Sequence, residues 1–429
     1  MRLFLSFGIL YAILFSCSPV SKGKLTKTFK STEEKFHDHT GFFLYDPSTK
    51  KELYSFNADH YFTPASNTKI FTFYSSLKIL GDSIPALKFI INQDSLIFWG
   101  TGDPSFLYKN VFNNNRVYTF LKKTDYKLYY SNSNFKTEHF GRGWAWDDYN
   151  DYYSPERSAF PIYGNIFSFH ESDTVIKIEP IYFNSFLKRK ERSKKSKVLR
   201  ALDSNEIQYA PGETIKPKVW AIPFKVDTTL TITLLSDTLK KPVSLIQKKI
   251  PAKTLPFFSL PADSLYRVMM QQSDNFIAEQ LLLICSGVLS DTLQPEIAIT
   301  YMKKYFLNDL AQEPIWVDGS GLSRYNLFTP HSIVQLWDKI YSLVPQERLF
   351  KLLATSGKNG TMKNSYKSDV PYIFGKTGTL SNNHNLSGYL ITKSGKILIF
   401  AFMNNNYVCA TGDIRKNMET ILLTIREHY

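Results

Sequence analysis

Apolar and polar positions along the 429-residue chain fall into runs of two periods. GFFLYDPSTKKELYSFN, residues 41–57, holds two β-type runs around a Pro-Ser-Thr-Lys turn and predicts a hairpin. PASNTKIFTFYSSLKIL, residues 64–80, predicts a helix entered through Pro64, with Ser66 in its first turn. SDNFIAEQLLL, residues 273–283, starts a second helix capped by its serine or aspartate. GKTGTLSNNHNLSGYL, residues 375–390, reads as strand. Lys393-Ser394-Gly395 then turns the chain into KILIFAFM, another strand, before a helix over about Asp413 to Glu427.

About 200 residues separate Lys69 from Ser273, more than one domain of ordinary size needs there. That middle holds LKFIINQDSLIFWG and TLTITLLSDTL, both read as β-rich. An inserted, mostly β domain is therefore placed at 81–253, between linkers at GDSIP and IPAKTLP. Residues 39–80 and 254–429 would join in one domain, with a central antiparallel sheet and helices on its faces, so the fold class is α/β in the α+β sense. At the start, Arg2 precedes an apolar stretch, Leu3 to Phe15, of signal-peptide length and too short to span a bilayer. Residues 1–16 read as that signal, and the polar SPVSKGKLTKTFKSTEEK places a tether over 17–38.

A hydrophobic content of 43% supplies a substantial core, which excludes general disorder. The net charge of +14 and the basic run LKRKERSKKSKVLR, residues 187–200, raise nucleic acid as a partner. No nucleic-acid fold signature accompanies them and the chain starts with a secretory pattern, so the run reads as a solvated loop and no nucleic-acid partner is expected. His37-x-His39 lies in the tether, but no HExxH or Cys/His cluster occurs, and no Gly-rich phosphate loop follows a strand. No metal and no cofactor are expected. Cys285 and Cys409 could pair or stay as buried thiols, the latter being the default.

The chemistry centres on Ser66. A serine hydroxyl needs a base, and Lys69, three residues on along a helix, lies on the same face. Lysine titrates near 10.4, so it must be desolvated or set beside another cation to act near neutrality. Ile70, Phe71 and Phe73 offer the dry setting, and Lys376 would be the second cation as well as a point charge for a substrate carboxylate. Ser-x-x-Lys alone means little, because Ser21/Lys24, Ser48/Lys51, Ser75/Lys78, Ser133/Lys136 and Ser185/Lys188 match it too. Conjunction singles out Ser66: the helix start is followed by Ser273-x-Asn275 and then by Lys376-Thr377-Gly378 on a strand. Ser273 could pass a proton to the leaving amine, and Asn275 could hold the substrate carbonyl or orient Lys69. Thr377 offers a hydroxyl to the carboxylate, Gly378 allows close approach of a ligand backbone, and the N–H groups of Thr379 and Ser66 form an oxyanion donor pair.

With GWAWDD (143–148) and DGSGLSR (318–324), these strings resemble the class C low-molecular-mass penicillin-binding proteins, the type-4 D-alanyl-D-alanine carboxypeptidase/endopeptidases. The resemblance covers roughly residues 40–80 and 255–425 and implies a β-lactamase/DD-peptidase-like domain. It implies Ser66 as acylated nucleophile and Lys69 as base, and an acidic residue, Asp147 or Asp148, with Arg324 for recognising the peptide side chain. Arg324 reads equally as a structural ion-pair partner, and Trp144 and Trp146 as cleft walls or packing residues. Leu14 to Cys17 resembles a bacterial lipobox, implying lipidation at Cys17 and a lipid-anchored, extracytoplasmic protein of the cell envelope. The implied substrates are peptidoglycan stem peptides, with β-lactams as inhibitors. The rivals are a β-lactamase of the same fold, disfavoured because no Glu-x-x-Leu-Asn string lies between Lys69 and Ser273, and a non-catalytic penicillin-sensing lipoprotein.

Overall fold

The computed structural model describes residues 21–429 apart from 110, 173–174 and 215. The signal segment and Cys17 lie outside the described residues. A six-stranded sheet runs in the order Ala354–Thr355, Ile373–Leu380, Asn383–Ile391, Ile397–Asn405, His39–Asp46, Lys51–Phe56, every pair antiparallel. Both chain ends thus meet in one sheet, with His39 opposite Asn405. The apolar run of Ile397–Asn405 has no polar face because both sides of the sheet are covered. Ile399, Ala401 and Met403 face one core together with the helices Lys69–Ile79, Asn275–Ser290 and Pro330–Leu343. Leu398, Phe400 and Phe402 face the other, closed by Ile414, Met418 and Leu422 of the C-terminal helix Thr411–His428.

The second core also corrects the tether. Residues 22–36 form a helix, capped where the Ser21 hydroxyl accepts from the Lys24 N–H at 3.3 Å. Leu25, Phe29, Thr32 and Phe36 recur at helical spacing and are buried, so this stripe packs on the sheet while the lysines stay in water. Phe29 stacks on Phe56 at 5.3 Å and meets Phe402 edge-on at 5.4 Å.

The middle of the chain builds a five-stranded sheet, in the order Val243–Leu245, Lys127–Ser131, Ser95–Gly100, Ser83–Asn92, Leu255–Pro261, and two three-stranded ones. LKFIINQDSLIFWG is a hairpin of that sheet. TLTITLLSDTL is not a strand: Thr228–Leu239 is a helix whose Asp227 side chain accepts from the Leu230 N–H at 2.7 Å. Leu230, Leu234 and Leu235 point into the core on one helical face, which outweighs the strand preference of the threonines. The strand Leu255–Pro261 pairs with Ser83–Asn92, so this sheet continues past residue 253. The basic run is not simply a loop either. Leu187–Arg189 and Lys197–Arg200 flank Ile207–Ala210 as strands, and Arg200 is buried, donating to the carbonyl of Pro223 at 2.8 Å. Cys285 is a buried free thiol and Cys409 a partly exposed one.

Candidate active site

The turn before the Lys69–Ile79 helix is strained. Ala65 sits at φ +48°, a left-handed setting that costs a non-glycine residue about 1–3 kcal/mol. It is held from within and from outside: the Thr68 hydroxyl donates to the Ala65 carbonyl at 2.9 Å, and Gly321 packs so closely that a Cβ there would lie 1.9 Å from that oxygen. A 3-10 turn over Ala65–Thr68 follows and leads into the α-helix at Lys69. The Lys69 amine reaches back across it, donating to Ser66 Oγ at 2.8 Å, Asn275 Oδ1 at 2.6 Å and the Ser320 carbonyl at 2.6 Å.

A two-residue break, Ser273 and Asp274, separates two helices, Ala262–Gln272 and Asn275–Ser290, and Asn275 opens the second. Ser273 ends the first at φ +62°, and Asp274 caps the second by accepting from the Ile277 N–H at 2.8 Å. Capping and site geometry are therefore the same feature. Asn275 Nδ2 donates to the Tyr153 carbonyl at 2.9 Å, which fixes its oxygen toward Lys69. Lys376 Nζ donates to Ser273 Oγ at 2.8 Å and to the Thr377 carbonyl at 2.7 Å, and the Thr377 hydroxyl donates to Thr361 Oγ1 at 2.6 Å.

Among the described residues the strand Ile373–Leu380 has a free edge here. Its outer neighbour, Ala354–Thr355, pairs only with Phe374 and Gly375. The two-residue Ser381–Asn382 turn sets the ladder with Asn383–Ile391, so the backbone groups of Thr377 and Thr379 point away from it, toward the cleft. At Gly378 a Cβ would stand 2.9 Å from the Ser66 nitrogen and 2.6 Å from the Pro64 carbonyl, so only glycine lets the strand lie against the Ser66 turn.

Both lysines are buried beneath this surface. Burial brings Lys69 down to about 8, against the opposing pull of Asp318, Glu279 and Asp274. Burial, and then the charge of Lys69, drives Lys376 well below its ordinary value. Glu279 is pushed up to about 7 by burial and then by Asp318. It accepts from the Ser320 N–H at 2.7 Å and faces Arg157 at 3.4 Å. Asp318 ties the same loop, accepting from the N–H groups of Gly321 and Ser323 at 2.8 and 2.6 Å.

Ser66, Ser273, Asn275, Thr377, Thr379, Asp148 and Arg324 all line one cleft of about 880 Å³. Asp148 accepts from the Tyr153 hydroxyl at 2.9 Å, and burial raises its carboxyl, with Arg324 nearby acting the other way. Asp147 is exposed and does not line the cleft, because the 3-10 turn Trp146–Asn150 presents only one of the two aspartates. Trp144 is a structural partner, donating to Asp318 Oδ2 at 2.9 Å, and Trp146 stands in solvent at 76% exposure. Tyr153, Ser320, Thr361, Glu279 and Arg157 escaped the sequence reading. Only Asp318, ahead of Gly-Ser-Gly, carried a turn signal that could have pointed to its loop. Among the described residues no cluster of three His, Cys, Asp or Glu could hold a metal.

A serine and a lysine one turn apart, faced by a second serine, an asparagine and a strand lysine, form the arrangement of a serine acyl-transfer enzyme. Residues 23–425 match the D-Ala-D-Ala carboxypeptidase 3 (S13) family, and the chain belongs to it. It is 23% identical over 441 residues to D-alanyl-D-alanine carboxypeptidase DacB of Haemophilus influenzae, covering 88% of this chain and 87% of that one. Its fold is similar to penicillin binding protein 4 from Haemophilus influenzae, with a TM-score of 0.74 and 20% identity over 92% of this chain and 97% of the other. A predatory peptidoglycan endopeptidase from Bdellovibrio bacteriovorus is similar at a TM-score of 0.54 and 14% identity, over 91% and 92% of the two chains.

Proposed function

We propose that the protein is a serine-type D-alanyl-D-alanine carboxypeptidase/endopeptidase that cleaves peptidoglycan stem peptides in the cell envelope through an acyl-enzyme on Ser66. The observation that carries this is the hydrogen bonding of one buried amine: Lys69 Nζ lies within 2.8 Å of Ser66 Oγ, with two further acceptors at 2.6 Å. A neutral amine has two N–H donors and one lone pair. With Asn275 Oδ1 and the Ser320 carbonyl taking the donors, the lone pair is left for the Ser66 hydroxyl. The amine thereby becomes the base, and burial has already lowered its affinity for the proton.

Ser66 Oγ attacks the carbonyl carbon of the scissile D-alanyl amide as its proton passes to Lys69. The carbonyl oxygen becomes an oxyanion between the N–H groups of Ser66 and Thr379. As the C–N bond breaks, the leaving amine takes a proton, for which the Lys376 to Ser273 contact at 2.8 Å is the relay. Water then attacks the ester and Ser66 recovers its proton. The carboxylate next to the leaving amine lies by Lys376 and Thr377. Carboxypeptidase and endopeptidase turnover differ only in which amine leaves. β-Lactams present a similar carbonyl and carboxylate and acylate the same serine.

Asp148 and Arg324 then recognise the side chain of the acyl-side peptide. The lipobox at Cys17 supports a lipid anchor, and the strand-rich segment from 81 to 261, one strand longer than the linkers suggest, supports an inserted domain that carries Asp148 to the cleft. The test is release of D-alanine from a pentapeptide and separation of a cross-linked muropeptide, with wild-type chain and Ser66→Ala. Cleavage by the first and none by the second is expected; equal rates, or no cleavage by either, overturn the reading.

A further inference from the structure

The free edge of Ile373–Leu380 gives the cleft a direction. On the reading above, the leaving carboxylate lies by Lys376 and Thr377 and the scissile carbonyl by Ser66 and Thr379. The acyl part of the substrate therefore continues past Thr379, along Leu380 and Ser381, as an added strand does at an open sheet edge. Leu380 and Ser381 line the cleft together with Thr411 and Arg415, which the C-terminal helix presents four residues apart on one face. The Thr411 hydroxyl is held 3.0 Å from the hydroxyl of Tyr407. Arg415 is exposed, and among the described residues no carboxylate forms an ion pair with its guanidinium. The histidine beneath Thr379, His384, is held down to about 3 by burial and then by Arg415, so it stays neutral and the guanidinium dominates that part of the cleft. Arg324, whose charge acts on Asp148, lines the same cleft.

We propose that Arg415 binds a carboxylate on the acyl-side peptide, two residues upstream of the residue that acylates Ser66. An extended chain advances about 3.3 Å per residue, so the residue that bears such a group begins about 7 Å past Thr379, level with Ser381, and its carboxylate lies beyond. A stem peptide carries it where a glutamate is joined through its γ-carboxyl and leaves the α-carboxylate free. This rests on the DD-peptidase reading for the direction of the substrate.

The test uses two pentapeptides that differ only in that group, carboxylate or carboxamide, with the wild-type chain, Arg415→Gln and Arg415→Lys. Wild type should prefer the carboxylate by about tenfold in kcat/KM, as expected for a hydrogen bond to a charged group, and mainly through KM. In Arg415→Gln the preference should collapse toward one, and Arg415→Lys should keep part of it. The same preference in wild type and Arg415→Gln, or none in wild type, overturns the proposal. Equilibrium binding of both peptides to Ser66→Ala and to Ser66→Ala/Arg415→Gln repeats the comparison without turnover. Discrimination lost with Arg415 there supports the subsite even where no D-alanine is released, an outcome that would sink the DD-peptidase reading alone.

Discussion

The six-stranded sheet and the five-stranded sheet hold their parts of the cleft in different ways. The first is antiparallel throughout and packed on both faces, and the groups around Ser66 stand on it or on helices pressed against it. Lys69 and Lys376 are buried there and Asp274 is half-buried, so their neighbours fix each position. The second region mixes parallel and antiparallel pairs and sends Asp148 to the cleft on a 3-10 turn with no buried residue. The residues proposed for the chemistry thus sit on rigid element starts, and the wall proposed to read the substrate sits on a surface turn. One scaffold can then keep its reaction while its substrate preference drifts.

Substitutions separate the two regions. Lys69→Gln removes the base without touching the wall and should slow acylation of Ser66 by roughly 10²–10⁴, read as the rate of labelling by a fluorescent penicillin. Loss of less than a few-fold would mean that another group takes the proton. Phe29→Ala empties the core under the six-stranded sheet and should cost about 3–5 kcal/mol in urea unfolding. Leu235→Ala in the other core should cost about 2–5 kcal/mol. If the regions are as distinct as their cores, only Phe29→Ala should lower the labelling rate of the protein that remains folded, and equal losses would break the comparison.

The pH profile is the next largest effect. As the proposed base Lys69 must be neutral, and burial brings its pKa down to about 8. Acylation should therefore rise about tenfold per unit up to pH 8 and level off above it. A rate already flat from pH 6 upward would contradict a lysine base. The smallest effect belongs to the wall: Asp148→Asn should raise KM about fivefold for peptides whose side chain carries an amine and less for peptides without one, the scale of a partly exposed charge contact. Equal change for both would remove Asp148 from recognition.

The two regions also differ in how much the sequence disclosed. The meeting of Ser66, Lys69, Ser273, Asn275 and Lys376 was legible because acyl transfer restricts residue type and spacing at the start of a helix or strand, and local rules act there. The hairpin at Gly41 and the last two strands were legible because alternation and turn residues agree. The Lys22–Phe36 helix was hidden by its lysines, since composition read it as a tether while Leu25, Phe29 and Phe36 kept helical spacing. The helix Thr228–Leu239 was hidden by its threonines, whose strand preference lost to an aspartate cap and a leucine face. Glu279 and Arg157 left no trace, because their pairing comes from long-range packing.

The most direct test of the central claim is the site of the penicillin adduct. Intact mass and peptide mapping of the labelled chain should show one adduct, on the peptide holding Ser66, and none after Ser66→Ala. An adduct on any other residue, or one that survives Ser66→Ala, would contradict the account.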